Sequence, residues 1–212
     1  MESGEIFDLT DESIAKKENI HNSNFRYKPL PVVVGAGLVI KGLDEELTKM
    51  NVGEEKEVVV SPEKGFGQRD PNMIRIVPEK SFGDKKPQPG MIIDFGQLKG
   101  RVQSITAGRV RVDFNHPLAG KTLKYTVKIL EKIESPDFQA KAILEFFGAD
   151  ANIAIKNNIA EIHEIPKIRD DKELRMTPDL KHRIADMIME YVKEVNEVQF
   201  IESFKPHSHK HE

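Results

Sequence analysis

The stretch Pro31-Val-Val-Val-Gly-Ala-Gly-Leu-Val-Ile-Lys-Gly42 is the most apolar part of this sequence. It is too short to span a bilayer, and Gly35 and Gly37 would weaken a buried helix. The pattern therefore predicts a core strand, a turn and a second apolar segment. Directly downstream, residues 43–50 carry apolar side chains at helical spacing, which predicts a short helix lying over a sheet.

The composition limits the class of protein. The chain has 212 residues, of which 38% are hydrophobic, so it can bury real cores and form one domain or two. It has no cysteine, which excludes disulfides, thiolate catalysis and sulfur-ligated zinc and fits a reducing cytoplasm. The net charge of -3, from 32 basic and 35 acidic residues, gives no basic field that would indicate nucleic acid. The acidic residues 1–5 form no apolar signal region, which argues against secretion and against a membrane anchor.

Little regular structure is predicted before the apolar stretch. Residues 4–10 are predicted to close a turn and begin a strand, with Ile6 or Phe7 buried. A polar surface segment follows, with at most one helical turn around residues 12–17.

After the short helix, the sequence predicts a strand and a loop with one aromatic ring. Val58 and Val60 would lie on one face of a strand at residues 54–60, and the glycine-flanked loop 63–67 presents Phe66. Taken alone, Phe66 would be an ordinary loop aromatic packed against the core.

A second, β-rich unit is predicted to begin near Gln68. Short strands are expected at residues 73–78 and 91–95, and residues 101–114 alternate as a hairpin in which Asp113 lies on the polar side. The apolar residues of this unit form either an exposed surface or simply a small core; they are Met73, Ile76, Val77, Met91, Ile93, Phe95 and Leu98.

The chain is then predicted to return to the first sheet. Residues 115–120 form a tight loop, and the strand at residues 123–130 alternates so that Leu123, Tyr125 and Val127 share one face.

The last third is predicted to be a separate α+β domain. Its helices begin at Ser135-Pro136 and at Thr177-Pro178, where a capping side chain precedes proline, and Gly148 ends the first helix. A hairpin turns at Asn157-Asn158, and residues 198–204 close the sheet. The predicted order is helix, two strands, helix, strand.

The usual signals of catalysis are absent from the sequence. It has no Gly-x-Ser-x-Gly motif, no phosphate-binding glycine-rich loop before a helix, and no histidine pair four residues apart on a helix. An apolar cleft with mostly backbone polar groups suits a reaction without a nucleophile, such as rotation about the X-Pro bond. Its barrier of roughly 18–20 kcal/mol comes from lost amide resonance.

Several short motifs occur in order along residues 5–130. They include Ile6-Phe7-Asp8, residues 33–47 and 50–54, Ser61-Pro-Glu-Lys-Gly-Phe-Gly67 and Asn115-His-Pro-Leu-Ala-Gly120. Together they resemble the FKBP-type peptidyl-prolyl isomerases. The insert after Gly67 resembles that of the SlyD-like branch, in which an insert-in-flap domain binds unfolded polypeptide. The C-terminal extension is similar to that of the long-type archaeal members.

The resemblance implies a proline pocket in the first part of the chain. Its residues would be Phe7, Asp8, Leu30, Val39, Ile40, Leu43, Phe66, His116, Leu118 and Tyr125. Of these, Asp8, Ile40, Phe66 and Tyr125 would be catalytic, with the backbone N–H of Ile40 donating to the substrate carbonyl, and the others would bind substrate. Without the resemblance, Asp8 would be a turn former, His116 a turn residue and Ile40 a core residue.

The sequence departs from the family pattern at three places. The pocket floor, often tryptophan, is Leu43, as it is in the SlyD-like branch. The flap aromatic, commonly tyrosine, is Phe66, so a hydroxyl donor is missing. The first family strand would precede Gly4, and the expectation is that the sheet edge it covers stays unpaired.

Three histidines alternate in the polar tail of residues 206–212. They are His207, His209 and His211, in a pattern typical of metal-binding tracts, and SlyD-like proteins carry such tails. The alternative is a solvated tail that binds nothing.

The predicted fold is α+β. It consists of an FKBP-like antiparallel half-barrel sheet with a short helix, a β-rich insert-in-flap domain and a C-terminal α+β domain. The isomerase domain would be discontinuous. The predicted boundaries are 1–67 with 114–134 for the isomerase, 68–113 for the insert, 135–205 for the C-terminal domain and 206–212 for the tail.

The predicted function is that of a cytoplasmic prolyl isomerase and folding chaperone that uses no cofactor. Its partners would be unfolded or proline-containing polypeptides, with no nucleic acid and no membrane, and a homodimer through the C-terminal domain is a hypothesis. Two alternatives remain, a holdase with a degenerate pocket and a metal-binding protein that uses the histidine tail.

Overall fold

The computed structural model describes residues 4–25, 27–83, 85–95, 98–149, 151–163 and 176–202. The end of the predicted last strand, residues 203–204, and the tail histidines His207, His209 and His211 lie outside the described residues.

The contacts within the chain divide it into two compact units. One contains residues 40–46 and 55–127, and the other contains residues 5–39, 47–54 and those from 128 onward. These limits differ from the predicted domain boundaries, which stay a prediction.

The first unit contains a two-stranded sheet formed by β1 (Glu55–Val60) and β6 (Leu123–Lys128). The predicted alternation in β1 is confirmed, because Val58 and Val60 are buried while Val59 between them is exposed. Helix α2 (Lys41–Leu47) packs against β1 through Gly42. A Cβ at Gly42 would lie 2.7 Å from a methyl group of Val60, so only glycine permits this approach.

The insert forms its own four-stranded antiparallel sheet in the order β2-β5-β4-β3. The strands are β2 (Ile74–Pro78), β3 (Ile92–Phe95), β4 (Leu98–Thr106) and β5 (Arg109–Asp113). The predicted hairpin of residues 101–114 is confirmed, and its turn lies at Ala107-Gly108, where both residues have positive φ as a tight hairpin requires. One face is covered by a small core of Ile93, Val102, Val110, Val112 and Phe114.

A β-bulge interrupts the pairing of β4 with β5. The register passes from Val102 opposite Val112 to Ser104 opposite Arg111, so Gln103 has no partner residue in the ladder. The extra residue keeps Val102 and Ile105 on the core side although they are three positions apart.

The C-terminal part of the second unit has the predicted order of helix, two strands, helix, strand. The elements are α3 (Pro136–Phe146), β7 (Asn152–Lys156), β8 (Ile159–His163), α4 (Pro178–Tyr191) and β9 (Glu197–Ile201). Strand β7 pairs with β8 in antiparallel fashion, and β9 lies parallel to β8, which requires a long crossover of the kind that α4 provides. The predicted turn at Asn157-Asn158 is confirmed by positive φ at both residues.

The core of this part lies between the two helices and the sheet. Its fully buried members include Ile143 and Leu144 of α3, Ile162 of β8, and Ile184 and Ile188 of α4. The α+β fold class expected from the sequence is therefore confirmed.

Two predicted strands are wrong. Residues 4–9 have no regular secondary structure, and Ile6 and Phe7 are 40% and 44% exposed rather than buried. The apolar residues 31–33 are also not a strand, although the turn predicted around Gly35 is present. Strand formation depends on a paired neighbour as well as on apolar side chains, and here Val33 packs instead against the C-terminal core.

The first helix is longer than predicted. Instead of a single turn, α1 (Glu12–Lys17) is a six-residue helix, and the side chain of Asp11 caps it by accepting from the N–H of Ser13 at 2.8 Å. None of the helices in the described ranges is long and apolar enough to cross a membrane.

Candidate functional site

The loop after β1 presents Phe66. A 3₁₀ turn at Pro62–Lys64 starts the loop, and the carbonyl of Pro62 accepts from the N–H groups of Gly65 at 3.0 Å and Gly67 at 2.7 Å. Gly67 has a φ of 76°, a left-handed conformation in which glycine is favoured. The loop is therefore held by its own backbone, with the Phe66 side chain half-buried.

The loop before β6 presents His116. Its backbone turns tightly, because the carbonyl of His116 accepts from the N–H of Ala119 at 2.9 Å. The N–H of Leu118 donates to Nδ1 of His116 at 3.2 Å, which orients the imidazole ring on this loop.

These two loops are joined to each other. The N–H of Gly120 donates to the carbonyl of Gly67 at 2.8 Å, and the rings of Phe66 and His116 stack with centroids 4.2 Å apart and planes 2° apart. The structure thus brings together two predicted site residues from the two ends of the insert.

Ile40 and Leu43 lie at the start of α2. The carbonyl of Ile40 accepts from the N–H groups of Leu43 at 2.9 Å and Asp44 at 3.1 Å, which opens the helix. Among the described residues of its own unit, the N–H of Ile40 has no hydrogen-bond acceptor. This is the group that the resemblance implies as the donor to the substrate carbonyl.

Helix α2 is fixed next to the loop that carries Phe66. Lys64 of that loop pairs with Glu45 of α2 at 2.7 Å, and Lys56 of β1 pairs with Glu46 at 2.7 Å. Because these ion pairs are exposed, their individual contribution is small, and the close approach of Gly42 to β1 provides the tighter contact.

Tyr125 is half-buried in β6, the strand that pairs with β1. Its neighbours Lys124 and Thr126 are exposed while Leu123 is buried, so Tyr125 lies on the covered side of the strand as the alternation predicted. Leu118 is half-buried in the loop that precedes this strand.

The remaining predicted site residues belong to the second unit. Phe7 and Leu30 are 44% and 53% exposed, Asp8 is also exposed, and Val39 is half-buried. No group of three or more His, Asp or Glu side chains that could hold a metal ion occurs within the described ranges.

Sequence reasoning missed the role of Asp113. It was expected on the polar side of a hairpin, yet it is 3% exposed and accepts hydrogen bonds from Arg69, Gln103 and Asn115. Burial raises the pKa of Asp113, but the hydrogen bonds from Arg69 and Asn115 outweigh this effect, so the pKa lies below its ordinary value. The Asp-x-Asn spacing of residues 113–115 was the available signal, since such side chains often bond to nearby backbone.

Comparisons with known proteins place the chain in a family. It is 40% identical over 128 residues to the short-type peptidyl-prolyl cis-trans isomerase of Methanocaldococcus jannaschii, a match that covers 59% of this chain and 82% of that protein. The chain belongs to the FKBP-type peptidyl-prolyl cis-trans isomerase family.

Two relatives named as FKBP-type isomerases match about half of the chain. It is 33% identical over 118 residues to the FKBP-type isomerase SlyD of Helicobacter pylori, covering 53% of this chain and 63% of that protein. It is 30% identical over 110 residues to the FKBP-type 16 kDa isomerase of Escherichia coli, covering 49% of this chain and 74% of that protein.

The insert of this FKBP-type chain also has a family match of its own. The family model of the FKBP26 IF domain matches residues 75–118. This range contains most of the four-stranded sheet and the loop that carries His116.

Proposed function

We propose that this protein is a prolyl isomerase that rotates X-Pro bonds of unfolded polypeptides, and that its insert holds those polypeptides. The observation that carries the proposal is the 40% identity to a named peptidyl-prolyl cis-trans isomerase over 82% of that relative's length.

The chemistry requires no nucleophile and no cofactor. Rotation passes through a twisted amide that has lost resonance, and a site that binds this less polar form better than the planar form lowers the barrier. The stacked rings of Phe66 and His116 supply a fixed flat wall for a proline ring, and the N–H of Ile40 supplies a donor for the carbonyl before it.

The resemblance alone assigns the remaining site residues in this proposal. Tyr125 and Asp8 are assigned to catalysis with Ile40 and Phe66, and the remaining residues bind the substrate. The substrate-binding set is Phe7, Leu30, Val39, Leu43, His116 and Leu118. The absence of a hydroxyl on Phe66 leaves the apolar surface of its ring as its whole contribution.

The insert offers an exposed apolar surface for client chains. On the face opposite its core, Ile76 and Ile92 are 67% and 64% exposed, and their cross-strand neighbours are the exposed Arg111 and Arg101. Some predicted apolar residues therefore belong to the small core, as Ile93 does, whereas others remain accessible.

Two further accessible side chains lie at the end of the β3–β4 hairpin. Phe95 and Leu98 face each other across the strands and are 38% and 41% exposed. A client held on the insert would meet the isomerase site as an intramolecular partner, which raises its effective concentration.

The organisation of the chain follows the sequence-based boundaries in this proposal. Residues 1–67 and 114–134 form the isomerase, 68–113 the insert, 135–205 a C-terminal domain that mediates homodimerisation, and 206–212 a tail. The protein acts in the cytoplasm, as the composition without cysteine suits, and resembles the long-type archaeal members.

The test is catalysis of two substrates by the full chain. A short proline peptide reports the isomerase site, and refolding of a protein limited by X-Pro isomerisation reports the site together with the insert. We expect acceleration of both. Prevention of aggregation without any acceleration of the peptide would replace the proposal with the holdase alternative.

A further inference from the structure

The insert is joined to the rest of its unit by two chain segments that run side by side. We call this the neck, defined as residues 67–73 and 114–120. Besides the bond between Gly67 and Gly120, the N–H of Phe114 donates to the carbonyl of Met73 at 2.9 Å. The two segments are thus bonded at both of their ends.

Asn115 bonds the middle of the neck. Its side-chain oxygen accepts from the N–H of Asp70 at 2.9 Å, and its amide nitrogen donates to the carbonyl of Asp70 at 3.0 Å. Asn115 therefore pairs with the backbone of the facing segment in the way that a strand residue would, and the next residue along the chain is His116.

The carboxylate of Asp113 lies beside this pair, and both of its oxygens accept hydrogen bonds. One oxygen accepts from the backbone N–H of Asn115 at 2.9 Å and from its amide nitrogen at 2.8 Å. The other accepts from Arg69 Nε at 2.9 Å, from a second guanidinium nitrogen of Arg69, and from Gln103 Nε2 at 2.8 Å. A carboxylate that is 3% exposed and accepts this many bonds is fixed in position.

The insert sheet supplies one of these donors, Gln103 of β4. Arg101 of β4 lies opposite Asp113 in the ladder, and alternation places Gln103 on the same face as Arg101, opposite the buried Val102. The bulge that follows keeps Ile105 on the core side. Asp113 therefore bonds to the entering segment, the leaving segment and the sheet of the insert.

We propose that Asp113 is a positioning residue for the isomerase site, which holds Asn115 and through it sets the place of His116 against Phe66. The inference rests on the proposed function, because it assigns the stacked rings to the wall of the proline pocket. A displacement of about 1 Å at a reacting site costs up to about a hundredfold in rate. Asp113 touches no substrate, and its effect passes through the neck.

The experiment compares Asp113→Asn with Asp94→Asn. Asp94 lies exposed on β3 of the same insert, so its substitution removes the same charge without touching the neck. In Asp113→Asn one carboxylate oxygen is replaced by an amide NH₂, which is a donor, so either Asn115 or the donors of Arg69 and Gln103 lose their acceptor. We expect kcat/KM for a short proline peptide to fall about tenfold or more in Asp113→Asn and to stay within twofold of the parent in Asp94→Asn.

A second readout does not depend on activity. The ring protons of His116 feel the ring current of Phe66, and their NMR signals are assigned among the seven histidines by comparison with His116→Gln. We expect these signals to move toward the positions of an unstacked histidine in Asp113→Asn and to be unchanged in Asp94→Asn.

The outcomes separate the inference from the proposed function. Unmoved His116 signals together with unchanged peptide turnover in a folded Asp113→Asn would overturn the inference. A parent protein without isomerase activity would overturn the proposed function, and the NMR comparison would still decide the placement of His116. If Asp113→Asn does not fold, Gln103→Ala replaces it, because Gln103 is exposed and its substitution should leave the protein folded. Unmoved His116 signals in Gln103→Ala would likewise count against the inference.

Discussion

The ring of Phe66 lies parallel to the imidazole of His116, at a centroid distance of 4.2 Å. Phe66 precedes the insert and His116 follows it, so the contact joins two residues that are 50 positions apart in the sequence. A single stack of rings thus couples the place where the insert leaves the isomerase part to the place where it returns.

The stack should be measurable as a coupling between the two residues. In a double-mutant cycle of Phe66→Ala and His116→Ala, we expect a coupling free energy of about 0.5–1.5 kcal/mol in unfolding, the range of aromatic pairs. Turnover of a proline peptide should fall in both single variants. Phe138→Ala is the matched control, because Phe138 is 65% exposed on α3 and belongs to no predicted site. Additive single effects would show that the rings contribute independently.

The exposed isoleucines of the insert should contribute to catalysis of protein refolding and not to turnover of short peptides. In Ile76→Ser and Ile92→Ser we expect slower catalysis of protein refolding with unchanged turnover of a short proline peptide, because only long clients reach the insert. Stability should change little, since both side chains are mostly exposed.

Val59→Ser is the control for these two substitutions. Val59 is 66% exposed on β1, outside the insert. Its substitution therefore removes a similar amount of apolar surface from another part of the protein. Equal losses on protein refolding in Val59→Ser and in the insert variants would contradict a client surface on the insert.

The contact of α2 with β1 should depend on glycine at position 42. In Gly42→Ala the new methyl group would lie 2.7 Å from Cγ1 of Val60, and overpacking of this kind costs about 1–3 kcal/mol in the free energy of unfolding. The double variant Gly42→Ala with Val60→Ala should recover part of the loss, because it removes the clashing methyl groups. A Gly42→Ala variant as stable as the parent in urea unfolding would disprove this close contact.

Much of the fold was predictable from local pattern alone. The alternation of apolar and polar residues predicted β1 and β6, with Tyr125 on the covered side. The asparagine pair at 157–158 predicted a hairpin turn. Both signals depend only on residues that are neighbours in the sequence. Proline at the first helical position marked the start of α3 and α4 for the same reason. The predicted capping side chain is confirmed at Thr177, which accepts from the N–H of Leu180, but Ser135 makes no such hydrogen bond.

The wrong predictions have a common physical cause. In each case the structure depends on residues that are distant in the sequence. The apolar residues 31–33 look like a strand, but Val33 packs against a core formed more than a hundred positions later. Asp113 follows the polar alternation of β5, but it accepts hydrogen bonds from Arg69, a residue of the segment that enters the insert, and it is buried. Nothing near Asp113 in the sequence indicates this distant partner.

The buried Asp113 should make the stability of the folded protein depend on pH in the acid range. Its pKa is lower in the folded state than in the unfolded state, where the pKa of an aspartate is about 3.9. The stabilisation is therefore complete above that pH and is lost as the pH falls through the lower folded-state pKa. We expect the difference in melting temperature between the parent and Asp113→Asn to shrink below about pH 4.

The same titration with Asp94→Asn provides the comparison. Because Asp94 is exposed, its substitution should change the melting temperature little. A gap between the parent and Asp113→Asn that stayed constant down to acid pH would show that the carboxylate charge of Asp113 is not what stabilises the neck.

Two adjacent valines allow a test of the link between residues 27–33 and the C-terminal core. Val33 packs against the cluster that contains Ile143 and Ile184, whereas Val34 is 43% exposed, and Lys28 of the same segment forms an ion pair with Glu145 of α3. We expect Val33→Ala to lower the free energy of unfolding by about 1 kcal/mol through lost apolar burial, and Val34→Ala to change it little. Urea unfolding of the full chain, followed by far-UV circular dichroism, measures both. The proposed domain of residues 135–205 lacks Val33, so the isolated fragment should be less stable than the same residues in the full chain; equal stability of the fragment, or equal effects of the two valine substitutions, would show that the segment contributes nothing to this core.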